Sequence, residues 1–334
     1  MPENIPLTPK GISLAGKTAI VTGGNKGLGF EVARQFLHLN VSRLIITARD
    51  EAKGSAAVAA LKADPVVIAA CARDGNNPKV EFCLLDLNDY HSGVLFSRKI
   101  KAEVSELHIL VLNAGVNIFE YQTSKSGHEK VMQGKSTSHP LNCYTNFLIV
   151  INLSSLIRGT SKKCNAPSRI TFVGSFSHDQ HSLDEVPMPA SQSILDYYDD
   201  KNVYRRFRRY QDSKFVVNAF VQQMSRMIMS NDVIINNVCP GVVETSLNQT
   251  VPLWLKPFMW VYIKMYSRTL HEGARIIVKA AVVVGQESHG AFVQNDQTDL
   301  GAPFFYGKGA RRFGWELWNE VIDDIEQVFA HPRV

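Results

Sequence analysis

Short apolar runs alternate with stretches of helical period along most of the chain. Residues 17–22 (KTAIVT), 43–48 (RLIITA), 80–85 (VEFCLL), 108–112 (HILVL), 169–173 (RITFV), 233–238 (VIINNV) and 291–294 (AFVQ) have strand length. Between them, 28–39, 51–61, 90–104 and 210–230 carry apolar positions at helical spacing. Nearly continuous apolar strands are what a parallel sheet covered on both faces requires. Their alternation with helices implies right-handed crossovers. The pattern therefore predicts an α/β fold with a doubly wound parallel sheet in three α/β/α layers. Its ligands are expected beyond the carboxyl ends of the strands. No linker or repeat interrupts the 334 residues. A single domain over 1–334 is expected.

Composition narrows the class only a little. The chain is 45% hydrophobic and 20% charged, with a net charge of +5, as in many globular enzymes. The dense basic run Arg205, Arg206, Arg208 and Arg209 is flanked by Tyr204, Phe207 and Tyr210. It reads as a solvated helix start; a nucleic-acid patch or a docking patch for an anionic substrate are the alternatives. No nucleic-acid partner is expected. Five cysteines without C-x-x-C spacing suggest neither a disulfide framework nor a metal site. The polar N-terminal stretch lacks an apolar core of signal-peptide length, so a cytoplasmic location is the default. Residues 251–266 (VPLWLKPFMWVYIKMY) are too short and too charged for a span. Peripheral membrane contact is left open, as is a homo-oligomer.

The first strand runs into Thr22-Gly23-Gly24-Asn25-Lys26-Gly27-Leu28-Gly29. Glycines there permit a tight turn and let backbone N–H groups approach a pyrophosphate at a helix N-terminus. The spacing T-G-x-x-x-G-x-G resembles the short-chain dehydrogenase/reductase family of Rossmann enzymes. The resemblance extends over roughly residues 14–295. Asp86 ends the third strand, where the family places an Asp beside the adenine. Asn113-Ala114-Gly115 matches its N-A-G motif. Pro240 and Gly241 follow the sixth strand, with Val243 and Thr245 in the segment that meets the nicotinamide. The cofactor set implied is thus Thr22, Gly23, Asn25, Lys26, Gly27, Leu28, Gly29, Arg49, Asp86, Asn113, Ala114, Gly115, Tyr210, Lys214, Pro240, Gly241, Val243 and Thr245, with no metal.

Reducing a carbonyl needs a proton donor on oxygen, and a tyrosine with a pKa near 10 needs help to serve. An ammonium one helical turn away supplies it. Three pairs have that spacing: Tyr121/Lys125, Tyr197/Lys201 and Tyr210/Lys214. Only the last opens a long amphipathic helix at the family's distance from Pro240-Gly241. Ser213 precedes Lys214, as is frequent in the family. The family's catalytic serine falls on Ser175, with Ser177 as the alternative. Its asparagine falls on Asn142, with Asn146 as the alternative, although Pro140 is expected to break the helix just before it. The spacing from Ser175 to Tyr210 is similar to that of the retinol-dehydrogenase-like branch, and the resemblance implies substrate-side insertions near 134–140 and 178–204 and a lid near 246–268. The style is similar to fungal secondary-metabolite reductases, which implies a bulky apolar substrate.

At the second strand's end Ala48 stands where NAD-specific proteins carry an acid, and Arg49 follows. With Lys26 this favours NADP(H), because a guanidinium pairs with a 2′-phosphate that a carboxylate repels. Asp50 next door is the competing contact. The expectation is an NADP(H)-dependent carbonyl/secondary-alcohol oxidoreductase in which Trp254, Phe258, Trp260 and Tyr262 form the lid. Dehydration or epimerisation at the same site, a non-catalytic NADP(H)-binding regulator and a membrane-associated lipid enzyme are the rivals.

Overall fold

A computed structural model describes residues 5–114, 120–124, 126–132, 143–243, 266–295 and 297–330. The strands are β1 (Thr18–Val21), β2 (Arg43–Ala48), β3 (Lys79–Leu84), β4 (Ile109–Leu112), β5 (Ser168–Val173), β6 (Val233–Cys239), β7 (Phe292–Gln294) and β8 (Gln297–Asp299). They form one sheet in the order β3-β2-β1-β4-β5-β6-β7-β8. All pairings are parallel except the terminal β7–β8 hairpin. The order reverses between β1 and β4, which opens a crevice at their carboxyl ends. The doubly wound, Rossmann-like sheet expected from the sequence is the one observed.

The helices are α1 (Gly27–His38), α2 (Glu51–Ala63), α3 (Pro65–Asp74), α4 (Tyr90–Glu103), α5 (Tyr144–Cys164), α6 (Ile194–Asp199), α7 (Arg209–Met227), α8 (Leu270–Val278) and α9 (Gly309–Ala330). Two apolar cores lie on opposite faces of the sheet. Ile20, Ile45, Leu110, Phe172 and Ile235 pack toward α4, α5, α7 and α9. Their strand neighbours Val21, Ile46, Val111, Val173 and Val238 pack toward α1, α2, α3 and α8. The period of two along each strand thus feeds two cores, which is why the strands read as unbroken apolar runs. Phe220 of α7 stacks on Phe147 of α5 at 3.8 Å between ring centroids and on Trp318 of α9 at 5.3 Å.

Local sequence explains most helix starts. Asp50, Asp64, Asp89 and Ser193 cap α2, α3, α4 and α6, and Thr269 with Glu272 forms a capping box on α8. Five of the nine described helices, α3, α5, α6, α8 and α9, lie outside the four segments of helical period. α3 follows α2 after a single residue, with Pro65 at its first turn. α8 and the C-terminal α9 lie beyond the segments read as periodic. The expected insertion at 178–204 contains α6 and two short 3-10 turns, Phe176–Gln180 and Ser182–Asp184. Residues 134–140 and nearly all of 246–268 fall outside the described residues. No single described helix is long and apolar enough to cross a membrane.

Candidate active site

The glycine loop connects β1 to α1 at the sheet's switch point. Gly23 and Gly27 adopt φ of +63° and +56°, a region that penalises any Cβ. A Cβ on Gly29 would sit 2.4 Å from Asn113 Nδ2, so the loop is drawn tightly onto the end of β4. Thr22 makes that junction. Its Oγ1 accepts from the backbone N–H of Asn113 at 3.0 Å and of Ala114 at 3.2 Å. Asn113 Nδ2 donates back to Thr22 O at 3.0 Å. Thr22 and Asn113 therefore brace the two sides of the crevice against each other. Gly23 N–H donates to Thr47 Oγ1 at 3.0 Å, which ties in β2 as well.

The first turn of α1 has no side-chain cap and no acidic residue, unlike α2 with its Asp50 cap and Glu51. Its N–H groups and partial positive charge suit an anion. Partial burial, and after it the charges of Arg49 and Lys53, hold the Lys26 pKa below its ordinary value. The loop, the end of β2 and the start of α2 thus assemble one positive corner. Asp50, the competing contact, is engaged elsewhere: its Oδ1 accepts from Lys53 N–H at 2.9 Å as the α2 cap. Asp86 is similarly held, its carboxylate accepting from the N–H of Asn88 at 3.2 Å and from Asn88 Nδ2 at 3.1 Å.

On the other side of the crevice, Gly241 takes φ of +78° against the Arg268 guanidinium. Gly273 of α8 has no room for a Cβ because Val243 and Leu28 converge on it. The Cys239 sulfur accepts from the N–H of Phe176 at 3.3 Å and of Gly241 at 3.4 Å. It thereby joins the loops that leave β5 and β6, a role that no sequence signal marked.

Ser175 leaves β5 one residue past Gly174, where a Cβ would strike Asn237 Oδ1 at 2.3 Å. Its hydroxyl lies 2.9 Å from Ser177 Oγ and near enough to the Tyr210 phenol to favour its ionised form. Tyr210 and Lys214 lie one turn apart in α7, with the Lys214 ammonium 5.6 Å from the centre of the Tyr210 ring. Lys214 Nζ donates to Val173 O at 2.8 Å, and burial brings its pKa down to about 8. Burial, reinforced by Cys239, pushes Tyr210 up to about 12, against the opposing pull of the Ser175 hydroxyl. The sequence reading expects Lys214 to depress the phenol. Here Nζ faces the ring and a backbone carbonyl, and desolvation dominates instead.

Ser175, Ser177, Tyr210 and Lys214 are therefore brought together. The other Tyr/Lys pairs are not part of this site. Tyr197 is buried in α6 and donates to Val186 O at 2.6 Å. Tyr121 donates to Asp199 O at 2.6 Å. Asn146 is buried within α5. Asn142, Gly115 and Thr245 lie outside the described residues, as do the lid aromatics Trp254, Phe258, Trp260 and Tyr262. The basic run divides. Arg205 and Arg206 are exposed and Arg208 pairs with Glu185 at 2.7 Å, but Arg209 is fully buried, so it is no solvated charge. Tyr198 and Tyr204 sandwich its guanidinium at 5.3 and 5.2 Å.

Comparison with known proteins agrees with this geometry. The short chain dehydrogenase family model matches residues 17–162. The short chain dehydrogenase sor7 of Hypocrea jecorina is 44% identical over 297 residues, covering 88% of this chain and 79% of that protein. The short chain dehydrogenase macD of Penicillium terrestre is 33% identical over 334 residues, covering 99% and 97%. The RhlG/NADP active-site complex of Pseudomonas aeruginosa shares the fold with a TM-score of 0.60 at 20% identity, covering 86% of this chain and 98% of that one. The 3-ketoacyl-(acyl-carrier-protein) reductase of Brucella melitensis, complexed with NADH, does so with a TM-score of 0.58 at 14% identity, covering 84% and 97%. With its glycine loop, its Ser/Tyr/Lys cluster and these relatives, the chain belongs to the short-chain dehydrogenase/reductase family of oxidoreductases.

Proposed function

We propose that the protein interconverts a carbonyl and a secondary alcohol with NADP(H), acting on a bulky apolar substrate of the kind made in fungal secondary metabolism. The observation that carries this reading is the convergence of Ser175, Tyr210 and Lys214 beside the crevice. When bound, the cofactor supplies or accepts the hydride. Tyr210 gives its phenolic proton to the substrate oxygen in reduction and takes it back in oxidation. Ser175, beside that phenol, orients the same oxygen. The Lys214 ammonium is charged below about pH 8. One of its N–H groups is held by Val173, and the others are left to bind ribose hydroxyls of the cofactor.

The preference for NADP(H) rests on the corner formed by Lys26, Arg49 and Lys53 and on the engagement of Asp50 as a helix cap. A 2′-phosphate there meets cations, while the neighbouring Asp50 is engaged as a helix cap. Titration of NADPH and NADH against wild type and Arg49→Ala tests this. NADPH should bind wild type more tightly, and Arg49→Ala should weaken it about 10-fold, the size of one charge-assisted bond, with NADH little changed. Equal NADH binding by wild type defeats the preference. Tyr210→Phe should cut turnover of a carbonyl panel by about 10²–10⁴-fold while cofactor affinity survives. Saturable cofactor binding with no turnover of any carbonyl by wild type would favour the binding-protein reading instead.

A further inference from the structure

Three residues past Ser175, His178 is buried and both ring nitrogens are engaged. Nδ1 lies 2.6 Å from the Ser175 carbonyl oxygen, and Nε2 lies 2.8 Å from the backbone nitrogen of Ala302. A carbonyl accepts and an N–H donates, so the contacts permit one neutral tautomer, with the proton on Nδ1. The His178 backbone N–H donates to the same Ser175 oxygen at 3.2 Å. The Ala302 end is itself anchored. The Leu300 carbonyl accepts from Asn218 Nδ2 and Gln222 Nε2 of α7, each at 2.9 Å. Asn218 Oδ1 in turn accepts from Asn237 of β6 at 3.0 Å. Gly301 makes the close approach feasible: it takes φ of +82°, and a Cβ there would sit 2.3 Å from His178 Nε2. Phe292 packs edge-on against the ring at 4.5 Å between centroids.

We infer that His178 is a positioning residue. It clamps the Ser175 backbone to the strap at Leu300, Gly301 and Ala302, and so fixes the direction in which the serine hydroxyl leaves β5 toward Tyr210. The catalytic helix grips the same strap through Asn218 and Gln222. Serine and tyrosine, which leave the core on different elements, are thereby set against one external reference. A hydroxyl that must orient a reacting oxygen gains from such a fix, since misplacement by about 1 Å can cost 10²-fold in rate. Asp179, Asp299 and His181 are the titratable groups facing the ring; burial outweighs the Ser175 carbonyl and the two carboxylates and lowers the imidazole's pKa.

This inference rests on the proposed carbonyl chemistry for its kinetic arm only. In that arm, reduction of phenanthrenequinone by NADPH is followed for His178→Phe, His178→Asn, Gly301→Ala, Ser175→Ala and Ser175→Ala/His178→Phe. His178→Phe and Gly301→Ala should lower kcat about 10-fold or more, with NADPH affinity within about twofold of wild type. His178→Asn keeps a donor near the Nδ1 position and should recover most of the loss. In the Ser175→Ala background, His178→Phe should cost almost nothing more, because its effect passes through the serine. Additive losses, or equal losses for Asn and Phe, would overturn the inference. The second arm needs no turnover. Nitrogen NMR of histidine-labelled protein should show one imidazole, missing from His178→Asn, that stays neutral with its proton on Nδ1 well below pH 6.5. An imidazole that titrates normally, or carries its proton on Nε2, overturns it. If wild type reduces no carbonyl, the proposed function fails while this second arm still decides the clamp.

Discussion

Two polar assemblies flank the start of α7, and they are built on opposite principles. On the Ser175 side, His178, Ala302, Leu300, Asn218 and Gln222 are joined by bonds of 2.6–2.9 Å with complementary donors and acceptors. On the Arg209 side, the charges are close but not bonded. Arg209 approaches Glu129 at 3.7 Å and Asp212 at 3.9 Å. Its Nε, Nη1 and Nη2 atoms, with Glu129 Oε1 and the hydroxyls of Tyr144 and Tyr198, have no hydrogen-bond partner among the described residues. Directional bonds define an angle, whereas a buried ion cluster mainly neutralises charge, because Coulomb attraction varies slowly with orientation. The first assembly is suited to setting geometry at Ser175. The second keeps the residue beside Tyr210 enclosed and is exposed to any change that leaves a charge uncompensated.

The comparison breaks most visibly at Arg209. Arg209→Met should cost about 3–5 kcal/mol of stability, the penalty of leaving a buried charge without its partner, as measured by denaturant unfolding. The double variant Arg209→Met/Glu129→Gln should recover part of that loss. If instead Arg209→Met leaves stability intact and removes only turnover, the contrast between the two assemblies is wrong. His178→Phe should show the reverse profile, with a kinetic loss and a small stability change.

A smaller effect concerns pH. Burial raises Glu129 to about 7, with Arg209 only partly opposing it. The folded state then binds a proton more strongly than the unfolded chain. The stability from this group is present at low pH and falls as pH rises from about 4.5 to about 7. Glu129→Gln should flatten that limb by about 1–3 kcal/mol in unfolding curves taken across the window. An unchanged slope would show that Glu129 is ionised throughout.

The smallest effect lies next door. His128 sits between Asp199 at 2.6 Å and Asp324 at 3.2 Å. Burial opposes its charge, but those two carboxylates win and raise it to about 10. Its contribution is complete below the unfolded value of 6.5 and disappears as pH rises toward 10. The melting temperature of wild type should therefore drop more between pH 7 and pH 10 than that of His128→Gln, by about 2–4 °C. Parallel curves would remove His128 from the account.

What the chain determined on its own was local or periodic. The glycine spacing after β1, the Tyr/Lys step along α7 and the apolar runs each need only a few neighbouring residues to carry their meaning. So the sheet, the crevice and the pairing of Tyr210 with Lys214 were legible. The tertiary structure decided what distance in sequence conceals. Arg209 reads as one of four exposed arginines until Tyr198, Tyr204 and Glu129 close around it. Asp50 reads as a rival ribose ligand until α2 claims it as a cap. His178 carries no signal at all, because the Ala302 N–H that fixes its tautomer is 124 residues away. Even the Tyr210 phenol, picked out of three equally spaced pairs by its amphipathic helix and the family resemblance, shifts in the direction opposite to the one Lys214 implies. The pairing is a property of helical geometry, but the shift depends on how much water the folded chain removes.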